Sequence, residues 1–422
     1  MMPRLFYTLL LWLSLPYALA HLWLRSRKQP EYLEHVGERF GRYQPYSGKP
    51  VIWLHTVSVG ETRAAAKLVQ RLQEAYPAHQ LLLTHTTPTG RAESERLYGD
   101  GVIRTYLPYD YPFAVGKFLE NFRPDLGVLM ETEIWPNLIH ACRERHIPLL
   151  LLNARMSEKS AGRYARYPNL TRTALSELSG IAAQTRADAE RLEQLGAHDV
   201  AVMGNLKFDI QPPPEMLELG GTLRRRFGAG RKIFLAASTR DGEEELLLDM
   251  LATLDIPGLL TVIVPRHPQR FGAVAEMLAR RNLEFVRRSE ESEVPPGVRV
   301  VLGDSMGEMF AYYAACDIAF IGGSLLPFGG QNLMEACAVG KPVLIGPHTY
   351  NFADASESAV ECGAALRVDK ASDLGDRLRD LFANEASVSA MSRAGMTYIR
   401  ENQGATDKSI HIIGRFMNPS KH

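Results

Sequence analysis

The stretch VIWLHTVSVGE, Val51 to Glu61, decides the fold. Its apolar run, Val51 to Leu54, reads as a strand, and a short polar turn follows. Gly60 then admits Glu61 at the first turn of a helix predicted over Thr62 to Tyr76. A strand, a glycine turn and a helix N-terminus are how open α/β sheets build ligand crevices. Two readings of Glu61 stand side by side. It complements the helix dipole and does nothing more, or it lies in the crevice and is a candidate general base.

The same alternation continues outward from this stretch. Apolar runs at Leu81–Leu83, Val102–Leu107, Leu126–Met130, Leu149–Leu152, Ile181–Ala183 and Val200–Met203 are separated by amphipathic stretches such as Pro112–Phe122 and Pro136–Arg145. Continuous apolar strands between helices predict a parallel sheet covered on both faces. Gln211-Pro-Pro-Pro214 is a stiff break without ladder donors and reads as a linker. Beyond it the pattern restarts, with strands at Ile233–Ala236, Leu259–Val264, Val298–Leu302, Ile318–Ile321 and Val343–Ile345. The fold class is therefore α/β, with two Rossmann-like domains facing each other across a linker. The expected divisions are an anchor over 1–25, a first domain over 26–210, a linker over 211–217, a second domain over 218–404 and a final helical segment over 405–422. That last helix is a candidate for crossing back onto the first half.

In 422 residues, 48 Lys and Arg balance 48 Asp and Glu, so no net field selects nucleic acid as a partner. Cys142, Cys316, Cys337 and Cys362 show neither C-x-x-C nor clustering with histidine, so no zinc site or disulfide framework is indicated. All four are expected to be small buried thiols in a reducing compartment. From Leu5 to Leu24 no charged side chain interrupts the chain apart from His21, about the length that crosses a bilayer core. Arg25, Arg27 and Lys28 follow, against Arg4 before, which keeps the rest of the chain cytoplasmic under the positive-inside rule. The apolar run continues past Ala18-Leu-Ala20, which favours an uncleaved anchor over a signal peptide. Pro16 leaves a shallow, monotopic insertion open.

Several stretches carry candidate chemistry. In METEIWPN, Glu131 sits at the carboxyl end of the Leu126–Met130 strand, where such sheets bind ligands. Glu133 follows at the next helix start. Capping of that helix is the plainer reading of both glutamates. In GNLKFD, Lys207 precedes the proline linker, where a cation facing the cleft would offset charge on a leaving phosphate. In the second half, Ser238-Thr239-Arg240, Pro265-Arg266-His267-Pro268, Met306-Gly307-Glu308 and Gly322-Gly323-Ser324 each follow a strand. Four such loops in register point to a nucleotide site. In Gln331 to Pro347, Asn332 is placed to cap a helix, and Glu335 one turn on suits a ribose diol. Walker A, G-x-G-x-x-G and D-x-D patterns are missing, and His55, His85, His267 and His348 show no metal-ligand spacing.

HTVSVGE, METEIWPN, GNLKFD, VPRHPQRF, GDSMGEM and GGSLLPFGGQNLMEA, together with ERFG (Glu38 to Gly41), resemble the 3-deoxy-D-manno-octulosonic acid (Kdo) transferases of lipopolysaccharide assembly over nearly the whole chain. The resemblance implies the GT-B glycosyltransferase arrangement of two facing Rossmann-like domains. It implies Kdo transfer from CMP-Kdo to a lipid A precursor at the cytoplasmic face of the bacterial inner membrane, with no cofactor and no metal. Carried over, the general base falls on Glu61, the carboxylate assisting the transition state on Glu131, and the matching lysine on Lys207. CMP contacts fall on Pro265 and Arg266, on Met306, Gly307 and Glu308, and on Asn332, Leu333, Met334 and Glu335. Arg25, Arg27, Lys28, Arg39 and Arg42 are candidates for meeting anionic lipid and acceptor phosphates. A GT-B enzyme using a UDP-sugar and a catalytically silent membrane-anchored scaffold are the competing readings. The helix N-terminus is expected to lower the basicity of Glu61, so desolvation by bound acceptor is expected to be needed.

Overall fold

Val51–His55 is buried at every position, because both faces of its sheet are covered. Val51 and Trp53 join one apolar layer, and Ile52 and Leu54 join the other. This is why the run shows no polar alternation. Trp53 stands edge-on against Phe118, 5.0 Å between centroids. Gly127 on the neighbouring strand makes room for it, since a Cβ there would lie 2.6 Å from the indole.

The computed structural model describes residues 2–27 and 29–417. Lys28 of the basic connector, Met1 of the expected anchor and residues 418–422 of the final segment lie outside them. The chain divides into two units. Unit 1 runs to Asp209 and resumes at Gln403, and unit 2 is Ile210–Asn402. Within 211–217, Pro214 already opens the helix Pro214–Phe227. The expected linker is therefore shorter than its proline content suggests, because proline is tolerated at a helix's first position.

Unit 1 holds β1 (Val51–His55), β2 (Gln80–His85), β3 (Ile103–Tyr106), β4 (Pro124–Met130), β5 (Leu149–Ala154), β6 (Gly180–Ala183) and β7 (Ala201–Val202). They form one parallel sheet in the order β3-β2-β1-β4-β5-β6-β7. Unit 2 holds β8 (Lys232–Thr239), β9 (Leu259–Pro265), β10 (Phe285–Arg287), β11 (Val300–Leu302), β12 (Ile318–Ile321), β13 (Val343–Ile345) and β14 (Ala365–Arg367). Its parallel order is β10-β11-β9-β8-β12-β13-β14. The two outermost strands, β10 and β14, were not expected from the sequence. Each is three residues long and only partly buried, so neither has an apolar run to announce it.

The helix Ala405–Met417 belongs to unit 1. Ile413 is fully buried in the layer of Leu68 and Val69. Asp209 accepts the Gly404 N–H at 2.6 Å and also the Thr406 N–H, which fixes where this segment rejoins the unit.

The first helix, Met2–Ser26, carries Pro16 inside it and lies along unit 1. Tyr7 Oη donates to Asp110 Oδ2 at 3.0 Å, Tyr111 Oη donates to the Leu11 carbonyl at 2.8 Å, and Leu22 is buried. Leu5, Phe6, Leu9, Leu13, Tyr17 and Trp23 remain exposed. Two expectations need correction. Arg39 is buried, donates to the Thr86 carbonyl at 3.0 Å and stacks 3.9 Å over Tyr106, so it is not placed to meet lipid. Cys362 is exposed, because it caps the C-terminus of the helix Ala353–Glu361 instead of packing within it.

Candidate active site

Each sheet reverses its direction of growth once. In unit 1 the chain builds outward from β1 through β2 to β3 and then crosses to β4 on the other side of β1. The loops after β1 and β4 therefore diverge and leave a crevice at the carboxyl ends of these strands. Glu61 follows β1 and Glu131 follows β4, so the topology brings the two sequence-predicted carboxylates to one place.

Ser58 starts the helix at Val59, three residues earlier than predicted, by accepting the Glu61 N–H. The Glu61 carboxylate turns back onto the residues before the helix. Ser58 Oγ donates to Glu61 Oε1 at 3.0 Å, and the Val57 N–H donates to Oε2 at 2.8 Å. Ser58 caps this helix, and Glu61 in its first turn is only 9% exposed. Burial, reinforced by the negative charge of Glu131, pushes its pKa up to about 7 against the pull of the Val57 N–H, His55 and Ser58. The expectation that the helix start would depress its basicity is thus corrected: desolvation by the protein itself outweighs the hydrogen bonds.

Glu131 takes a left-handed backbone with φ of 59°, a conformation uncommon for a residue with a Cβ and frequent at functional sites. Its Oε1 lies 3.4 Å from Lys207 Nζ, and each side chain is about one-quarter exposed. Lys207 is held by a short turn in which Asn205 Oδ1 accepts its N–H at 3.0 Å. Its ammonium answers a carboxylate of the same unit.

Neither Glu131 nor Glu133 caps the helix Pro136–Glu144. Asp110 does so, accepting the Asn137 N–H at 3.0 Å and the Leu138 N–H at 2.8 Å. Burial pushes the Asp110 pKa up to about 7. Nothing local in the sequence marks this role, since the acceptor and its helix are 27 residues apart. Glu133 instead accepts from Trp135 Nε1 at 2.8 Å and stands 3.7 Å from His55 Nε2. His55 is fully buried, with Nδ1 2.8 Å from Thr84 Oγ1. Burial lowers the His85 pKa to about 3, and its Nδ1 meets the Thr56 carbonyl, a structural role.

In unit 2 the reversal falls between β8 and β12. The end of β8 at Ser238–Arg240 and the loop Gly322–Ser324 after β12 are laced together by Glu243, which sequence reasoning missed. This fully buried carboxylate accepts the N–H groups of Arg240 at 2.9 Å, Gly323 at 2.6 Å and Leu325 at 3.0 Å. Gly322 must be glycine, because a Cβ would lie 2.5 Å from the Ser238 carbonyl oxygen. Pro265 ends β9 in the core, and Arg266 Nε donates to Gln331 Oε1 at 3.1 Å. His267 titrates below its usual range, through burial and then the positive charges of Arg240, Arg266 and Arg270. Arg270 is paired with Asp241 and with Glu244 at 2.9 Å, so Arg240 and Arg266 are the guanidinium groups at these strand ends that suit a phosphate.

Met306 is exposed, and Gly307 has φ of 81°. Glu308 precedes the helix Met309–Ala315, accepting from Ser305 Oγ at 2.6 Å and Arg288 Nη2 at 3.2 Å. Asn332 Oδ1 caps the helix Met334–Ala338 by accepting the Met334 N–H at 3.0 Å, and its Nδ2 donates to Glu335 at 3.2 Å. The side chains of Leu333 and Met334 are buried in the core, so a ligand here would meet only their main chain. Among the described residues no group of three or more His, Cys, Asp or Glu is arranged to hold a metal ion.

Residues 34–210 match the family model described as 3-Deoxy-D-manno-octulosonic-acid transferase (kdotransferase), and residues 278–397 match that of Glycosyl transferases group 1. The chain is 42% identical to a 3-deoxy-D-manno-octulosonic acid transferase of Bordetella pertussis, with 98% of this chain and 99% of the relative covered. It is 38% identical to a protein of the same description from Haemophilus influenzae, with 99% of each chain covered. A glycosyltransferase structure from Rickettsia africae superposes with a TM-score of 0.57 at 14% identity, covering 89% of this chain and 100% of that one, a likeness of fold alone.

Proposed function

The chain belongs to the 3-deoxy-D-manno-octulosonic acid transferase family, and from that premise we propose that it moves Kdo from CMP-Kdo to a lipid A precursor with inversion and without a metal. Glu61 carries the reading. It is a carboxylate at the switch point of its sheet, with a pKa of about 7 that lets it take a proton near neutral pH.

In the proposed step, Glu61 removes the proton of an acceptor hydroxyl. The oxygen bonds to the anomeric carbon of Kdo, the bond from that carbon to the phosphate oxygen of CMP breaks, and CMP leaves with the electron pair. Glu131, kept beside Lys207, offers negative charge to an oxocarbenium-like centre. The strand ends around Arg240 and Arg266 take the CMP phosphate, joined by main-chain groups of Gly307 and of Asn332 to Glu335. Lys207, paired with Glu131, acts by holding that carboxylate. The first helix, over Pro3–Ser26, is long and apolar enough to cross a membrane and is largely exposed, which supports attachment to the inner membrane by spanning or in-plane insertion.

Mass spectrometry of the product made from CMP-Kdo and a tetra-acylated lipid A precursor tests the proposal. A mass increase of one or more Kdo residues, undiminished by EDTA, is expected. Transfer only from a UDP-sugar, or only with an added divalent ion, refutes it.

A further inference from the structure

A groove of about 780 Å³ runs between the first helix and the helix Pro168–Glu177. Phe6 and Leu10 line it from the first helix, Leu170 and Ala174 from the other, and Ile134 and Trp135 from the segment between β4 and the next helix. Thr132 and Glu133, directly after Glu131, also line it. Along the first helix it extends from Pro3 to Ser14, about 17 Å at the helical rise.

The first helix is fastened to the site. Tyr7 donates to Asp110, the residue that caps the helix after the Glu131 loop, and Thr8 Oγ1 donates to Asn137 Oδ1 at 3.1 Å. Trp12 packs on Tyr111, 4.9 Å between centroids. The groove therefore lies between exposed apolar side chains of the first helix and the candidate carboxylates. A ligand that fits such a slot has a hydrocarbon tail and a hydroxylated head.

The geometry points to an acyl-chain subsite: one hydrocarbon chain of the acceptor lies in this groove and sets which hydroxyl reaches Glu61. The inference rests on the acceptor being a lipid, as proposed above. A chain that leaves a bilayer for this slot exchanges one apolar surrounding for another. The groove thus selects position more than it adds affinity, and its signature is selectivity among acceptors.

Leu170→Trp fills the slot from one wall and Leu10→Trp from the other. Each is assayed in mixed micelles with CMP-Kdo and two acceptors, a long-chain tetra-acyl precursor and the same disaccharide with chains of a few carbons. The unmodified protein is expected to favour the long-chain acceptor in kcat/KM, and both variants to lower that preference at least tenfold with the KM for CMP-Kdo unchanged. A preference unchanged in both variants, or rates lowered equally on both acceptors, overturns the subsite. So does loss of a dimer in light scattering with the preference intact, which assigns the groove to a second copy of the chain. Absence of any Kdo transfer by the unmodified protein refutes the functional reading, and the subsite with it.

Discussion

Glu61→Gln separates the two roles of one carboxyl. Glutamine keeps the local hydrogen bonds, since its carbonyl accepts the Val57 N–H and its amide donates to Ser58 Oγ. It cannot take a proton, and loss of a positioned base lowers turnover by roughly 10²–10⁴-fold. Stability is expected to move the other way. Raising the carboxyl from its usual 4.5 to about 7 costs the ionised form roughly 3 kcal/mol in the folded state. The sign follows from linkage: the folded protein binds this proton more tightly than the unfolded chain does. The contribution is fully present below pH ~4.5 and is lost as the pH rises through ~7. The variant is thus expected to match the parent near pH 4.5 and to exceed it by up to ~3 kcal/mol at pH 8, about 3 °C in Tm if the whole chain melts together and about 6 °C if unit 1 melts by itself. Thermal melts at the two pH values, beside initial rates with CMP-Kdo, measure both. Equal melting differences at both pH values, or a rate within tenfold of the parent, refute the reasoning.

The same titration gives kcat/KM an acidic limb, with activity rising as the pH passes about 7, and the limb is expected to vanish in Glu61→Gln. Lys207→Met leaves Glu131 unpaired at a partly exposed site, so stability is expected to change by no more than ~1 kcal/mol while transfer falls at least tenfold; comparison of melts with rates checks this. Glu243→Ala strips the acceptor from three buried N–H groups and is expected to cost roughly 3 kcal/mol or more and to weaken CMP binding, read by urea unfolding and calorimetry. Gly322→Ala forces a methyl against the Ser238 carbonyl and is expected to weaken CMP binding while Glu61, in the other unit, keeps its titration.

What the sequence made legible was set by local patterns. The central strands were readable because burial on both faces leaves unbroken apolar runs such as Leu149–Leu152. Glu61 and Glu131 were readable because each directly follows such a run. β10 and β14 were not, since three half-buried edge residues make no run. Asp110 and Glu243 escaped for another reason. Their roles depend on main-chain donors 27 to 82 residues away, which only the assembled sheets bring within reach. The elevated basicity of Glu61 was misjudged because the helix start is visible in sequence and the desolvation around it is not.

The return of Ala405–Met417 to unit 1 has a consequence for biosynthesis. A chain emerging from the ribosome presents the first helix and all seven strands of unit 1 long before the segment that covers Leu68 and Val69 exists. Unit 2 can close as it is made, while unit 1 waits with an open apolar face until some two hundred further residues have been added. During that interval the nascent first unit is a client for chaperones or for the membrane surface itself. A frameshift near codon 405 would then damage the unit that bears Glu61, far away in sequence, and leave unit 2 complete.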